Sequence, residues 1–146
     1  MRWKKLQAGP PAIYAVVLAT GDEVARELGR VVREQQIGAG ALTAIGAFEK
    51  AVLGYFDWQT KTYKRILVDA QVEVLSLIGD VAVSDGSPTL HMHAVLGKPD
   101  GSTIGGHLLE GHVRPTLEIT LTEPPACLRK RKDPETGLAL IDLDRS

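Results

Sequence analysis

Three of the chain's four histidines fall within seventeen residues, as His91-Met92-His93 and then His107 behind the pair Gly105-Gly106. Imidazoles at that spacing suit a metal ion, provided the backbone aims them at one point. Side chains at i and i+2 of a strand leave the same face, so an extended Thr89 to Gly97 would present His91 and His93 together. Leu90, Met92, Ala94 and Leu96 would then form the opposite, apolar face, the period of a strand with one side on a core. The following Lys98-Pro99-Asp100-Gly101-Ser102 has the sequence of a type I turn whose glycine takes the left-handed position and forms a bulge. A loop of that length pairs Lys98 with Ser102. Counting back from there sets Val95 opposite Gly105, His93 opposite His107 and His91 opposite Leu109, with all three imidazoles on one face. Paired residues on adjacent strands have Cβ atoms roughly 4.5–5.5 Å apart, close enough for two rings to share an ion bound at about 2.0–2.1 Å per nitrogen.

Three neutral nitrogens suit Zn²⁺ first, with Ni²⁺, Co²⁺, Cu²⁺ and Fe²⁺ competing on ligand type. Three protein ligands leave a fourth position open, the pattern of catalytic rather than structural zinc. A carboxylate for that position, or for support of a ligand, is expected from Glu73 or Glu110, between which spacing does not choose. Gly105 and Gly106 are expected to leave room beside the rings. His112 lies beyond the histidine strand and reads as an ordinary surface residue.

The elements that must hold this hairpin follow from composition and pattern. With 146 residues and 44% hydrophobic content, the chain can bury one core and is expected to form a single domain over residues 1–146. Charged residues make up 24% and nearly balance at a formal net charge of −1, which excludes a strongly basic nucleic-acid protein. The lone Cys127 excludes an intrachain disulfide framework. Met1-Arg2-Trp3-Lys4-Lys5 is not followed by the apolar run of a signal peptide, and no stretch approaches the roughly 20 apolar residues of a membrane span. A cytoplasmic protein without membrane insertion is expected.

Ile13 to Leu18 reads as a strand buried on both faces. Thr20-Gly21-Asp22-Glu23 has the form of a capping box, and Val24, Leu28, Val31 and Val32 recur at helical spacing before a stop at Gly38. From Ala41 the pattern becomes strand-length: Ala41 to Phe48, Lys50 to Phe56, Thr62 to Val68 and Gln71 to Ile78. Asp57 to Lys61 reads as a hairpin loop, Gly79-Asp80 as a turn, and Asp85 to Pro88 as the loop entering the histidine strand. Pro115 to Leu121 alternates as a half-exposed strand, with Leu117, Ile119 and Leu121 on one face. One amphipathic helix with many strands indicates an α+β fold with a mostly antiparallel, curled sheet.

The order of these motifs resembles the plants-and-prokaryotes-conserved (PPC) domain, whose stand-alone prokaryotic members are often labelled predicted DNA-binding proteins. The resemblance covers most of the chain. It rests on Gly21-Asp22-Glu23, Ala44-Ile45-Gly46-Ala47, Glu73-Val74-Leu75-Ser76-Leu77-Ile78-Gly79, Leu90-His91-Met92-His93-Ala94, Asp100-Gly101 and Gly105-Gly106-His107-Leu108. It implies an α+β fold assembling as a homotrimer, and metal binding, usually zinc, through His91, His93 and His107. In plants the domain lies beside AT-hook segments of the Arg-Gly-Arg-Pro type. None occurs in this sequence.

Arg129-Lys130-Arg131-Lys132 is the one dense basic run and the candidate phosphate contact; the bland reading is a solvated loop ahead of a final strand from Leu138 to Leu143. No aromatic interleaves with it to make a stacking platform. No Walker loop, nucleophile elbow or Cys-His pair is present. Trp3, Tyr55, Phe56 and Trp58 are expected in the core or at a subunit contact. The leading functional reading is therefore a metal-binding assembly module acting on a small ligand or partner. The alternatives are a DNA-binding regulator using the basic run, and a zinc-dependent hydrolase or lyase with Glu73 or Glu110 as base.

Overall fold

Period-two alternation sets the first core strand. The chain begins with β1 (Arg2–Gln7), paired antiparallel with β2 (Ala12–Ala19), in which Tyr14, Val16 and Leu18 are fully buried while Ile13, Ala15 and Val17 are only partly covered. The strand expected to be buried on both faces thus has one core face and one partly open face. The computed structural model describes residues 1–146.

Helix α1 (Val24–Glu34) buries Val24, Leu28, Val31 and Val32, the stripe its spacing predicts, against β6 and β7. Its cap differs from the expected box. Glu23 is itself the N-cap and accepts from the amides of Ala25 and Arg26 at 3.1 and 2.7 Å, while the Thr20 hydroxyl turns to the Pro115 carbonyl at 3.4 Å. A carboxylate at that point also complements the positive end of the helix dipole. The helix stops at Glu34, and Gln36 takes the positive φ of 55° that turns the chain, so Gly38 is not the stop.

The two segments expected at Ala41 to Phe48 and Lys50 to Phe56 are one long, irregular strand, β3 (Ala39–Asp57). It is followed by β4 (Thr62–Val68), β5 (Val72–Ser84), β6 (Ser87–Gly97) and β7 (Thr103–Glu123). The sheet order is β1-β2-β7-β6-β5-β3-β4, and β3 pairs with β7 as well, so an antiparallel sheet curls back on itself around the core, as the α+β reading requires. Phe48, Leu53, Leu77, Leu96, Leu117 and Leu121 fill that core.

Gly79-Asp80 is no turn but the middle of β5. A side chain at Gly79 would strike the His91 carbonyl at 2.4 Å, so the glycine marks close strand packing rather than a chain reversal. The basic run also departs from expectation: Lys130–Lys132 is β8, paired with β9 (Ala139–Ile141) in a small antiparallel ribbon, and the chain ends in a 3-10 turn at Leu143–Arg145. Of the four aromatics expected in the core or at a subunit contact, Trp3 packs partly buried against the core and the others do not. Tyr55 is 64% and Trp58 66% exposed, and Phe56, Trp58 and Tyr63 pack edge to face at the β3–β4 end.

Candidate metal centre

The histidine hairpin forms where local sequence puts it. Met92, Ala94 and Leu96 point into the core, which turns His91 and His93 to the other face of β6. The Lys98 amide donates to the Ser102 carbonyl at 2.9 Å, Gly101 takes φ 81°, and the Asp100 carboxylate accepts from the Ser102 amide and hydroxyl. That turn fixes the register Val95↔Gly105 and His93↔His107. Pairing between β6 and β7 then ends. Beyond His107, β7 runs beside β3 with Leu108 opposite Leu53 and Glu110 opposite Val52, so Leu109 is an extra residue in the strand and does not face His91 as expected.

The three rings nevertheless meet. Ring centroids lie 5.0 Å apart for His91 and His93, 5.2 Å for His91 and His107, and 5.3 Å for His93 and His107. One nitrogen from each lies within 4.8 Å of the others. His91 Nε2 and His93 Nε2 are 3.2 Å apart. Two nitrogens bound tetrahedrally to one zinc at its usual bond length are separated by roughly 3.3 Å, so this pair is already at chelating distance, with the His107 ring beside it. His107 Nδ1 is buried with no hydrogen-bond partner. An orphaned buried nitrogen is costly, and a bound ion or water relieves such a cost. Chemistry and geometry both fit a divalent transition ion.

Electrostatics keeps the donors available. Burial pulls His107 down to about 4, helped by the neighbouring charges of His91, His93 and Lys130. Burial and His91 likewise lower His93, against an opposing pull from Asp80. Both rings are therefore neutral, and able to donate, at pH 7.

Two neighbours escape a reading of the sequence. Asp80, opposite His91 in the β5–β6 register, places Oδ2 3.1 Å from His91 Nδ1. A carboxylate on the far nitrogen of a ligating imidazole fixes its tautomer and orientation and raises its basicity. The other Asp80 oxygen lies 2.9 Å from Lys130 Nζ, a charge contact whose angles are not those of a hydrogen bond. Tyr63 stacks on His107 with centroids 4.8 Å apart, reaching it across Gly54, where any side chain would meet the Tyr63 ring at 2.8 Å. Nothing in the spacing of β4 announces Tyr63. Asp80 was legible only as one of the residues of a false turn.

Neither expected glutamate sits at the centre. Glu73 pairs with Gly97 at the turn end of β5, seven residues and so roughly 23 Å of strand from Asp80. Glu110 is ion-paired with Arg65 at 2.6 Å. Gly106 does not make room for the rings, since a Cβ there would meet the Gly54 carbonyl at 2.8 Å; it admits β3. His112 lies apart, opposite Lys50 and partly buried. Within the basic run, Lys130 holds Asp80 and Arg131 holds Asp142 at 3.1 Å, which leaves Arg129 and Lys132 exposed without an acidic partner. No helix is long and apolar enough to cross a membrane.

Comparison with known proteins agrees with this architecture. A structure from Archaeoglobus fulgidus described as a metal-containing protein shares 31% identity at a TM-score of 0.85, covering 95% of this chain and 99% of that one. A plant- and prokaryote-conserved protein from Pyrococcus horikoshii matches at 30% identity and TM-score 0.85, over 97% and 94% of the two chains. A candidate DNA-binding protein from Ralstonia eutropha matches at 29% and 0.87, over 97% and 95%. Among curated proteins, a bifunctional GlmU protein from a Synechococcus strain is 32% identical over 99% of this chain, which spans only about a fifth (22%) of that relative's length. The model of the Plants and Prokaryotes Conserved (PCC) domain matches residues 6–125, and with the helix, the histidine hairpin and strands β2 to β7 of the curled sheet inside that stretch, the chain belongs to this family.

Proposed function

We propose that this chain is a metal-binding module in which His91, His93 and His107 hold a divalent transition ion, zinc foremost, with Asp80 orienting His91. The observation that carries the reading is the convergence of three imidazoles, one with an orphaned buried nitrogen, on a point that one ion would satisfy. The metal-containing relative from Archaeoglobus fulgidus supports it. Zinc, when bound through three nitrogens, offers a fourth position to water or ligand. Self-association, as the homotrimer that the family resemblance implies, completes the proposal. Ile45, Leu75 and Ile78 are 63%, 53% and 56% exposed and line one open apolar groove on the outside of the sheet; clustered apolar exposure of this kind marks association surfaces. The Synechococcus relatives, of which such a domain is about a fifth, suit an accessory module.

Metal analysis of the purified protein tests this. About one zinc per chain is expected, with the double substitution His91→Ala and His93→Ala abolishing it; full retention would overturn the ligand assignment. Light scattering on the same sample tests the trimer.

DNA binding is the second reading, favoured by the description of the Ralstonia eutropha neighbour. It ranks below because two of the four cations in the basic run are tied to aspartates. A zinc hydrolase or lyase ranks third. Asp80, the one carboxylate hydrogen-bonded to a ring of the centre, is held by His91 and Lys130, which leaves no free base there.

A further inference from the structure

Between the imidazoles and the β8–β9 ribbon lies a cavity of about 270 Å³. Its lining divides chemically. His91, His107, Tyr63 and Lys130 contribute polar groups, and Leu138 and Leu140 an apolar surface. Leu140 comes from β9 of the ribbon and Leu138 from the turn that leads into it, both beyond the matched residues 6–125.

Charge decides what such a cavity accepts. Lys130, its side chain only 6% exposed, and Asp80 cancel as an ion pair. Ligating imidazoles are neutral, so a bound divalent ion would leave the centre with its full positive charge in a partly buried setting. The complementary ligand is an anion. No arginine lines the cavity, and phosphate is usually gripped by guanidinium forks; the single lysine is already engaged. A carboxylate carries one charge and is an ordinary zinc ligand. The volume lies just under the roughly 300–1,000 Å³ of drug-sized sites, which suits a small ligand with a short tail.

Resting on the metal reading above, we propose that this cavity binds a small monocarboxylate, its carboxylate at the open metal position and a short apolar tail against Leu138 and Leu140. The ribbon then sets tail preference, and the histidines set the requirement for a carboxylate.

The test uses the full chain loaded with Co²⁺, whose visible absorption reports its ligands. Acetate, isovalerate and inorganic phosphate are titrated separately. Isovalerate should bind on the order of tenfold or more tighter than acetate, from the free energy of burying about three extra carbons, and phosphate more weakly than isovalerate. Leu140→Ser, at a 48% exposed position, should erase most of the isovalerate advantage over acetate. Cobalt uptake without any carboxylate response, equal affinity for the two acids, or tight phosphate binding overturns this proposal alone. Failure to take up cobalt overturns the metal reading and this proposal with it.

Discussion

The molecule carries two dense clusters of basic side chains, the histidine trio and the Arg129–Lys132 run, and the fold treats them oppositely. The histidines are drawn together and left with one acidic contact among three rings; the cations are strung along a strand and half of them neutralised by Asp80 and Asp142. Local density of a residue type is therefore a poor guide to use. What matters is whether packing spends free energy to keep donors unpaired, as it does at His107 Nδ1. Lys130 links the two regions, since its ammonium braces the carboxylate that orients His91.

The contrast breaks most sharply at His107. His107→Ala removes one of the three proposed ligands, and metal affinity should fall at least a hundredfold while the circular dichroism of the sheet persists; isothermal titration with zinc reads both affinity and stoichiometry. Asp80→Asn comes next, with a tenfold to hundredfold loss of affinity expected for the support of one ligand. An unchanged affinity would mean that His91 is oriented by the sheet alone.

A smaller effect appears in metal-free protein as pH falls. The folded His107 titrates near 4 and the unfolded ring near 6.5, so between these values the unfolded chain binds the proton and the native one does not. Stability to urea should therefore decline from about pH 6.5 down to about pH 4, with no further loss from this group below that. His107→Ala should flatten that part of the profile. The smallest effect belongs to the other cluster. Arg129→Ala with Lys132→Ala touches no ion pair, and zinc affinity and urea midpoint should stay within experimental error; a clear loss of DNA retardation in a low-salt gel shift would instead promote the DNA-binding reading.

Much of this comparison is legible in the sequence. Alternation of Leu90, Met92, Ala94 and Leu96 against His91, His93 and Val95 is a local pattern, and so is the Pro-Asp-Gly turn. Because side-chain direction has a strict period of two and the loop fixes the register, His93 opposite His107 follows from counting. The helix stripe follows from its own period. The strand breaks were less legible: Gly79 reads as punctuation in one dimension, whereas its lack of a side chain answers the crowding of β6 beside it.

The sequence by itself determined the two strands of the histidine hairpin, the face its rings share, and the α+β class, since each depends on interactions within a few residues or on a tight turn. Only the tertiary structure decided the company those rings keep. Asp80 arrives by pairing of β5 with β6, Tyr63 by leaning from β4 across Gly54, and Lys130 from a ribbon beyond the main sheet. Such contacts join residues that are distant along the chain, and nothing in local periodicity encodes which strand will lie beside which.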